Sequence, residues 1–326
     1  MPKTFTDLAR HALNGPTMGT RWSVLFHAPA DFDPEPLRDA LAAAVDEVDR
    51  QMSVWKPDSA ISRLSAAPPD IWIDLPPALM EVLAAGLSIG RATDGAFDIG
   101  MGDAVSAWGF GPVDADTARI RAARERRRLP AHDVLELDGE RGRARKHAPM
   151  QFDLNGIAKG YGVDRLTETA RAFGVDGALL AIDGELRAIG KQPDGSPWVV
   201  AVESPDPERR APHSVLELSD MAVATSGDYR HWVQVGDHRL SHTMDPRRGM
   251  PLASSPASVT VLAADCVSAD AWATAMMVMG EERGLKAAEA IGLSVLYLRR
   301  DRPAGLGTGC FQTADERMSS MAVNGL

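Results

Sequence analysis

The chain has 326 residues, 44% of them hydrophobic, which suffices for a sizeable core and implies one large domain or two closely joined ones. Its 35 Lys and Arg against 45 Asp and Glu leave a net charge of −10, and an acidic surface repels phosphate, which argues against nucleic acid as a partner. A nucleotide is not excluded on that ground, because one bound divalent cation reverses the local field.

Met1 to Gly15 carries Lys3, Asp7, Arg10 and His11 and has neither an apolar run nor a cleavage site, so no signal peptide is expected. No segment reaches the roughly 18 apolar residues of a membrane span, and the richest stretch, Ala271 to Gly280, is too short. Two cysteines, Cys266 and Cys310, cannot make a disulfide framework and read as thiols in a reducing compartment. The expectation is a cytoplasmic protein with no membrane span.

Thr17 to His27 alternates around Trp22, Val24 and Phe26 and predicts a first strand. Leu37, Leu41, Val45, Val48 and Met52 follow a helical stripe. Pro76 to Ala92 predicts a second helix with proline at its start, in which Gly86 and Gly90 permit close packing. Gly95 to Gly111 reads as an ordered loop, and Asp114 to Arg128 as a polar helix. The arginines at 119, 121, 124, 126, 127 and 128 offer a binding patch, although a solvated helix face is the simpler reading.

A further helix is expected from Asp153–Gly162 to about Phe173, followed by short strands at Ala178–Ile182, Leu186–Ile189, Trp198–Glu203, Val215–Leu218, Ala222–Thr225, His231–Val235 and Ala257–Leu262. Helices over Ser268–Met279 and Glu281–Ile291 and a strand over Leu293–Leu298 complete the pattern. Strands dominate the middle and helices flank them, which is α+β rather than a regular βαβ alternation.

Four constellations carry chemistry. In Asp153-Leu-Asn-Gly-Ile-Ala-Lys-Gly-Tyr-Gly, Asp153 stands where an N-cap would, Gly156 and Gly160 admit a ligand close to the backbone, and Lys159 adds charge at an anion-favouring helix start. The competing reading is a capped helix with a surface lysine, and on either reading replacement of Lys159 is expected to spare the fold. In Ser268-Ala-Asp-Ala-Trp-Ala-Thr274, Asp270 and Thr274 are four apart and share a helix face, hard oxygen donors suited to Mg2+. Capping by Ser268, with Asp270 in the first turn, is the plain alternative.

Ala224 to Tyr229 and Ser241 to Gly249 are polar turns leaving strands. Ser226, His242 and Asp245 resemble a hydrolase triad in composition only, since no G-x-S-x-G elbow surrounds the serine. His242 remains a candidate acid, base or phosphate contact, against an ordinary structural role. Finally, Trp55 before a Pro-Asp turn offers an aromatic face for a planar ring, unless it packs in the core.

Together these stretches resemble the FAD:protein FMN transferases, the ApbE-type flavin transferases. The matching pieces are Gly15–Trp22, Met52–Leu64, Thr93–Gly111, Asp153–Arg165, Ile182–Gly190, Ala222–Tyr229, Ser241–Pro251 and Ala269–Met276. Each is weak alone; they occur in the family's order and span nearly the whole chain. The resemblance implies an α+β, T-fold-like architecture over residues 1–326, as one domain or two closely packed subdomains, with FAD in a central cleft.

Carried over, Met18, Trp55, Ala96, Phe97, Asp98, Asp153, Lys159 and Met244 would line the FAD site. Gly156 through its carbonyl, Asp270 and Thr274 would hold Mg2+, and His242, Asp270 and Lys159 would act in catalysis. The implied reaction moves FMN from FAD to a threonine or serine of an acceptor flavoprotein and releases AMP. FAD hydrolysis to FMN and AMP, or FAD binding without turnover, are the alternatives. The chain departs from the family pattern in Asp183 for a glycine, Asn155 for a small residue, Arg248 for threonine and Trp55 for tyrosine. Many members are exported lipoproteins; no export signal or lipid-bearing cysteine is read here, so that location is not carried over.

Overall fold

The computed structural model describes residues 8–206, 211–228, 232–235, 238–252, 256–300, 305–308 and 312–313. Tyr229, His231 and Cys310, each part of an expectation above, lie outside them.

The chain opens with a hairpin, β1 (Leu8–Thr17) and β2 (Thr20–Pro29). Thr17 therefore ends a strand rather than starting one. The strands turn through Met18 and Gly19, whose φ angles of 44° and 72° are those of a tight primed turn matched to strand twist. α1 (Glu35–Met52) buries all five residues of its predicted stripe. α2 (Ala60–Ala66) follows, capped by Ser59, which accepts the Ser62 N–H. After the short β3 (Ile73–Asp74), α3 (Pro77–Ala92) packs through Gly86, where a Cβ would meet Ile99 Cγ2 at 2.9 Å.

The Gly-rich segment is not all loop: it contains α4 (Gly102–Ala107). The predicted polar helix is shorter than expected, α5 (Thr117–Glu125), because Asp116 caps it and Arg126 leaves it in extended backbone. α6 (Ala131–Val134), β4 (Leu135–Asp138) and β5 (Arg143–Lys146) lead to α7 (Ala158–Ala172). Next come β6 (Ala178–Ile182), β7 (Glu185–Ile189), β8 (Trp198–Glu203), β9 (Pro212–Leu218) and β10 (Met221–Gly227). Two hairpins, β11 (Trp232–Val235) with β12 (His238–Ser241) and β13 (Met244–Asp245) with β14 (Met250–Pro251), precede β15 (Ser258–Ala263). α8 (Cys266–Ile291) spans both predicted helices but breaks between them at Gly280, which sits at φ 70°. β16 (Ser294–Leu298), β17 (Leu306–Gly307) and β18 (Gln312–Thr313) follow.

Among the described residues, eight strands form an antiparallel sheet in the order β1-β2-β6-β7-β10-β15-β16-β17. Its two faces are covered differently, as an antiparallel sheet allows. On one face, Trp22, Val24, Phe26, Leu180 and Ile182 meet α1 and α7 through Leu37, Leu41, Val163 and Leu166. On the other, Val223, Leu262, Leu296 and Leu298 pack on Trp198, Val200, Leu216 and Leu218 of the small β18-β9-β8 sheet. A separate apolar body gathers α2 and α3 with Phe97, Ile99, Phe152, Leu154 and Ile157, and reaches Ala271 and Ala275 of α8. α7 and α8 thus lie where sheet and helical body meet, and that junction holds the residues of interest.

Candidate functional site

α7 and α8 touch because Gly160 permits it: a Cβ there would lie 2.2 Å from the Cys266 carbonyl oxygen and 2.8 Å from Asp270 Cβ. The contact is sealed by hydrogen bonds. Gly160 donates its N–H to Asp270 Oδ2 at 2.9 Å. Asp164, one turn further along α7, accepts the N–H groups of Cys266 and Val267 at 2.9 and 2.8 Å, closing the start of α8 from another helix. Asp265, not Ser268, is the N-cap of α8; it accepts the Ser268 N–H at 2.9 Å. Asp270 is therefore beyond the first turn, and the plain capping account of it fails.

Asp270 is 3% exposed. Burial pushes its carboxyl up, to about 6, against the pull of Lys159 and the Gly160 N–H. Thr274, one turn along, stands 3.3 Å from Ser226 Oγ of β10. Gly156 lies against it, close enough that a Cβ would fall 2.8 Å from Thr274 Oγ1 and 3.3 Å from Phe97 Cε2. The fold thus brings Gly156, Asp270 and Thr274 together from two segments more than a hundred residues apart.

Lys159, in the first turn of α7, is not a free surface charge. Its Nζ bonds both oxygens of Glu185, at 2.7 and 2.8 Å, and stands 3.6 Å from Asp183 Oδ2. Although burial alone would lower it, these carboxylates and Asp270 hold the lysine well above its ordinary range, so it is charged. Glu185 is as buried as Asp270, and burial followed by the Asp270 charge pushes its carboxyl up. Asp183, Glu185 and Asp270 face one lysine. A divalent cation fits that excess of negative charge.

Among the described residues no three His, Cys, Asp or Glu side chains cluster as a metal cage. One carboxylate, one hydroxyl and one backbone carbonyl are hard oxygen donors of the kind that would suit Mg2+ at a nucleotide.

Glu185 was not among the candidate residues. Its signal was the Asp-Gly pair before it: Asp183 has φ 55°, and Asp183-Gly184 makes the two-residue turn from β6 to β7 that sets Glu185 opposite Ile182. Asp183 replaces a glycine of the family pattern at a position where both tolerate left-handed backbone.

Asp153 is not the N-cap of α7, whose cap position is Ile157. Its carboxylate instead accepts from Asn155 N and Asn155 Nδ2 at 3.1 and 2.9 Å, shaping the turn that carries Gly156. That explains asparagine at 155. Desolvation pushes Asp153 up to about 6. Asp98 likewise shapes backbone: it accepts the N–H groups of Gly100 and Ala131 at 2.8 and 3.1 Å. Ala96 and Phe97 are buried beside it.

Met18, in the first hairpin turn, packs against both neighbouring cores and approaches Gly162 of α7, where a Cβ would sit 3.2 Å from Met18 Cε. Trp55 is 62% exposed, which settles the choice between core and presented face. Met244 is buried against Met101, Val105 and Trp108. His242 is exposed on the link from β12 to β13. Asp245 accepts the N–H groups of Arg247 and Arg248, at 2.9 and 3.3 Å, and so serves its own turn, while Ser226 faces Thr274; this does not support a triad. Cys266 is a free, buried thiol at the helix junction, pushed up by burial and the surrounding carboxylates.

Residues 18–297 match the model of the ApbE family. The chain belongs to the ApbE family. It is 35% identical over 291 residues to an FAD:protein FMN transferase of Vibrio cholerae, covering 88% of this chain and 86% of that one. An FAD:protein FMN transferase of Klebsiella pneumoniae is 32% identical over 89% of this chain and 84% of its own. Among solved structures, the Pseudomonas stutzeri flavinyl transferase ApbE in its apo form superposes with a TM-score of 0.80 at 36% identity, covering 92% and 94%. The flavin transferase ApbE from Vibrio cholerae gives 0.81 at 33%, covering 92% and 97%. These ApbE relatives share the α+β architecture described above. No helix among the described residues is long and apolar enough to cross a membrane.

Proposed function

We propose that this chain is a Mg2+-dependent FAD:protein FMN transferase, moving FMN from FAD to a threonine or serine hydroxyl of an acceptor flavoprotein and releasing AMP. The observation that carries this reading is the meeting of Gly156, Asp270 and Thr274 at the junction of α7 and α8, beside a lysine outnumbered by carboxylates.

In this reading the acceptor oxygen attacks the FMN phosphorus, a P–O bond forms, and the pyrophosphate P–O bond to AMP breaks. Gly156, Asp270 and Thr274 would hold the metal, which when bound would neutralise charge on the phosphate oxygens. Lys159, kept protonated by Glu185 and Asp183, adds fixed positive charge at the start of α7. The proton of the hydroxyl passes to His242 or Asp270, the two side chains with suitable chemistry. Met18, Ala96, Phe97, Asp98, Asp153 and Met244 shape the cleft, and Trp55 offers the stacking face for flavin or adenine.

Product analysis tests this. Incubation with FAD, Mg2+ and a candidate acceptor is expected to give flavinylated acceptor plus AMP. Free FMN plus AMP with unmodified acceptor would make the chain an FAD pyrophosphatase, and intact FAD would make it a binding protein.

A further inference from the structure

The arginine-rich stretch near α5 divides in the fold. Arg128 turns inward to grip Asp103 with both nitrogens at 3.0 Å, and Arg126 reaches the same carboxylate at 3.4 Å. Arg119 is spent on Asp116 and the Asp114 carbonyl. Arg121 and Arg124 are different: one turn apart on one face of α5, they are exposed and make no ion pair among the described residues.

They do not simply face solvent. Together with Arg247 and Arg248 of the β13–β14 turn they line a cavity of about 630 Å³, completed by Glu125 and Met250. Both walls are held. Trp108 Nε1 donates to the Gly249 carbonyl at 3.1 Å, and Gly249, at φ 61°, packs so closely on α5 that a Cβ would meet the Ala123 carbonyl oxygen at 2.6 Å. Arg247 is paired with Asp94 and Arg248 stands 3.7 Å from Asp245 Oδ2, so Arg121 and Arg124 are the two cations of this lining without a carboxylate partner among the described residues, in a chain of net charge −10.

The cavity also adjoins the candidate site. Arg247 Nη2 bonds Asp94 Oδ2 at 2.6 Å, tying it to the segment of Ala96, Phe97 and Asp98, and the turn bearing Arg247 and Arg248 leaves the strand that carries Met244.

We propose that this arginine-lined cavity docks an acidic segment of the protein that accepts the flavin; the inference rests on the transferase reading above. Guanidinium groups pair carboxylates through two parallel hydrogen bonds, which gives both affinity and register. Among the described residues of the lining there is no aromatic side chain on which a base would stack, and the overall negative charge opposes a long polyanion, so a short acidic peptide fits better than single-stranded nucleic acid.

The test uses the full chain without FAD or Mg2+. The probes are two short fluorescein-labelled peptides with a central threonine, one flanked by Asp and Glu, the other by Asn and Gln. Fluorescence anisotropy should show binding of the acidic peptide only, weakening steeply with salt. R121E/R124E should lose about tenfold or more of that affinity while keeping its melting temperature and FAD affinity. Equal binding of both peptides, or an unchanged R121E/R124E, would overturn the proposal. So would displacement of the acidic peptide by oligothymidylate as readily as by unlabelled peptide, which marks a general polyanion patch. FAD titrated into the wild-type protein reads the underlying function separately: failure there overturns the transferase reading, failure of peptide discrimination overturns the docking surface.

Discussion

Gly160 of α7 donates its backbone N–H to Asp270 of α8 at 2.9 Å, at a point where the two helices leave no room for a side chain. Packing and site geometry are therefore the same feature, and a change to one disturbs the other.

Gly160→Ala tests this directly. The added methyl would press on the Cys266 carbonyl, which is backbone and cannot rotate away. Overpacking of this kind costs about 1–3 kcal/mol or more. A guanidinium denaturation midpoint well below wild type is expected, with a raised Mg2+ requirement for turnover. An unchanged midpoint would mean that the helices do not meet as described.

The ion pair of Lys159 with Glu185 changes what the lysine's removal should do. A lysine at a helix start reads as dispensable for folding, but Glu185 is 3% exposed and has Lys159 on both oxygens. Breaking a buried pair from one side costs about 3–5 kcal/mol, with a part-exposed lysine placing this case toward the lower end. Lys159→Ala should therefore destabilise the fold, and adding Glu185→Gln should restore most of the loss. Additive destabilisation in this double-mutant cycle would show that the pair is not coupled.

Much of this was legible in the sequence, for a physical reason in each case. The stripe from Leu37 to Met52 lies on one helix face, and all five residues are buried. Asp270 and Thr274 were readable because a helix brings i and i+4 together without help from tertiary structure. β1 was missed because it is an edge strand whose residues, among them Arg10, His11, Asn14 and Pro16, carry little apolar alternation. α4 hid in a Gly-rich run. Asp153 was misread as a cap because the same side chain that caps helices also closes turns. Glu185 was visible as the acidic residue after the Asp183-Gly184 turn, but not as a site residue, because its partner, Lys159, is 26 residues away on another element, a relation no local pattern encodes.

Acid should weaken the metal. Burial raises the Asp270 carboxyl to about 6, so above that value the group is ionised and open to Mg2+, and below it a proton occupies the same oxygens. The half-saturating Mg2+ concentration should rise as pH is lowered from neutral through this value. Titrations of turnover against Mg2+ at several pH values check it; a half-saturation point that does not move contradicts the assignment.

Trp55, 62% exposed, should matter for ligand and not for fold. Trp55→Ala is expected to change stability by no more than about 0.5 kcal/mol, as surface substitutions do. Loss of a ring stack worth about 0.5–1.5 kcal/mol corresponds to roughly two- to tenfold weaker FAD binding. Calorimetric titration of FAD into both proteins decides it, and equal affinity would remove Trp55 from the site.

The most direct test of the account is the Mg2+ dependence of Asp270→Asn. The substitution keeps size and an oxygen to accept the Gly160 N–H, but removes the charge. Because the raised pKa means the ionised carboxylate is destabilising in the folded state above about 6, metal-free Asp270→Asn should be at least as stable as wild type at neutral pH. It should still bind FAD and should need far more Mg2+ for whatever turnover remains. Wild-type turnover in excess EDTA, or an unchanged Mg2+ requirement in Asp270→Asn, would contradict the metal site and the mechanism built on it.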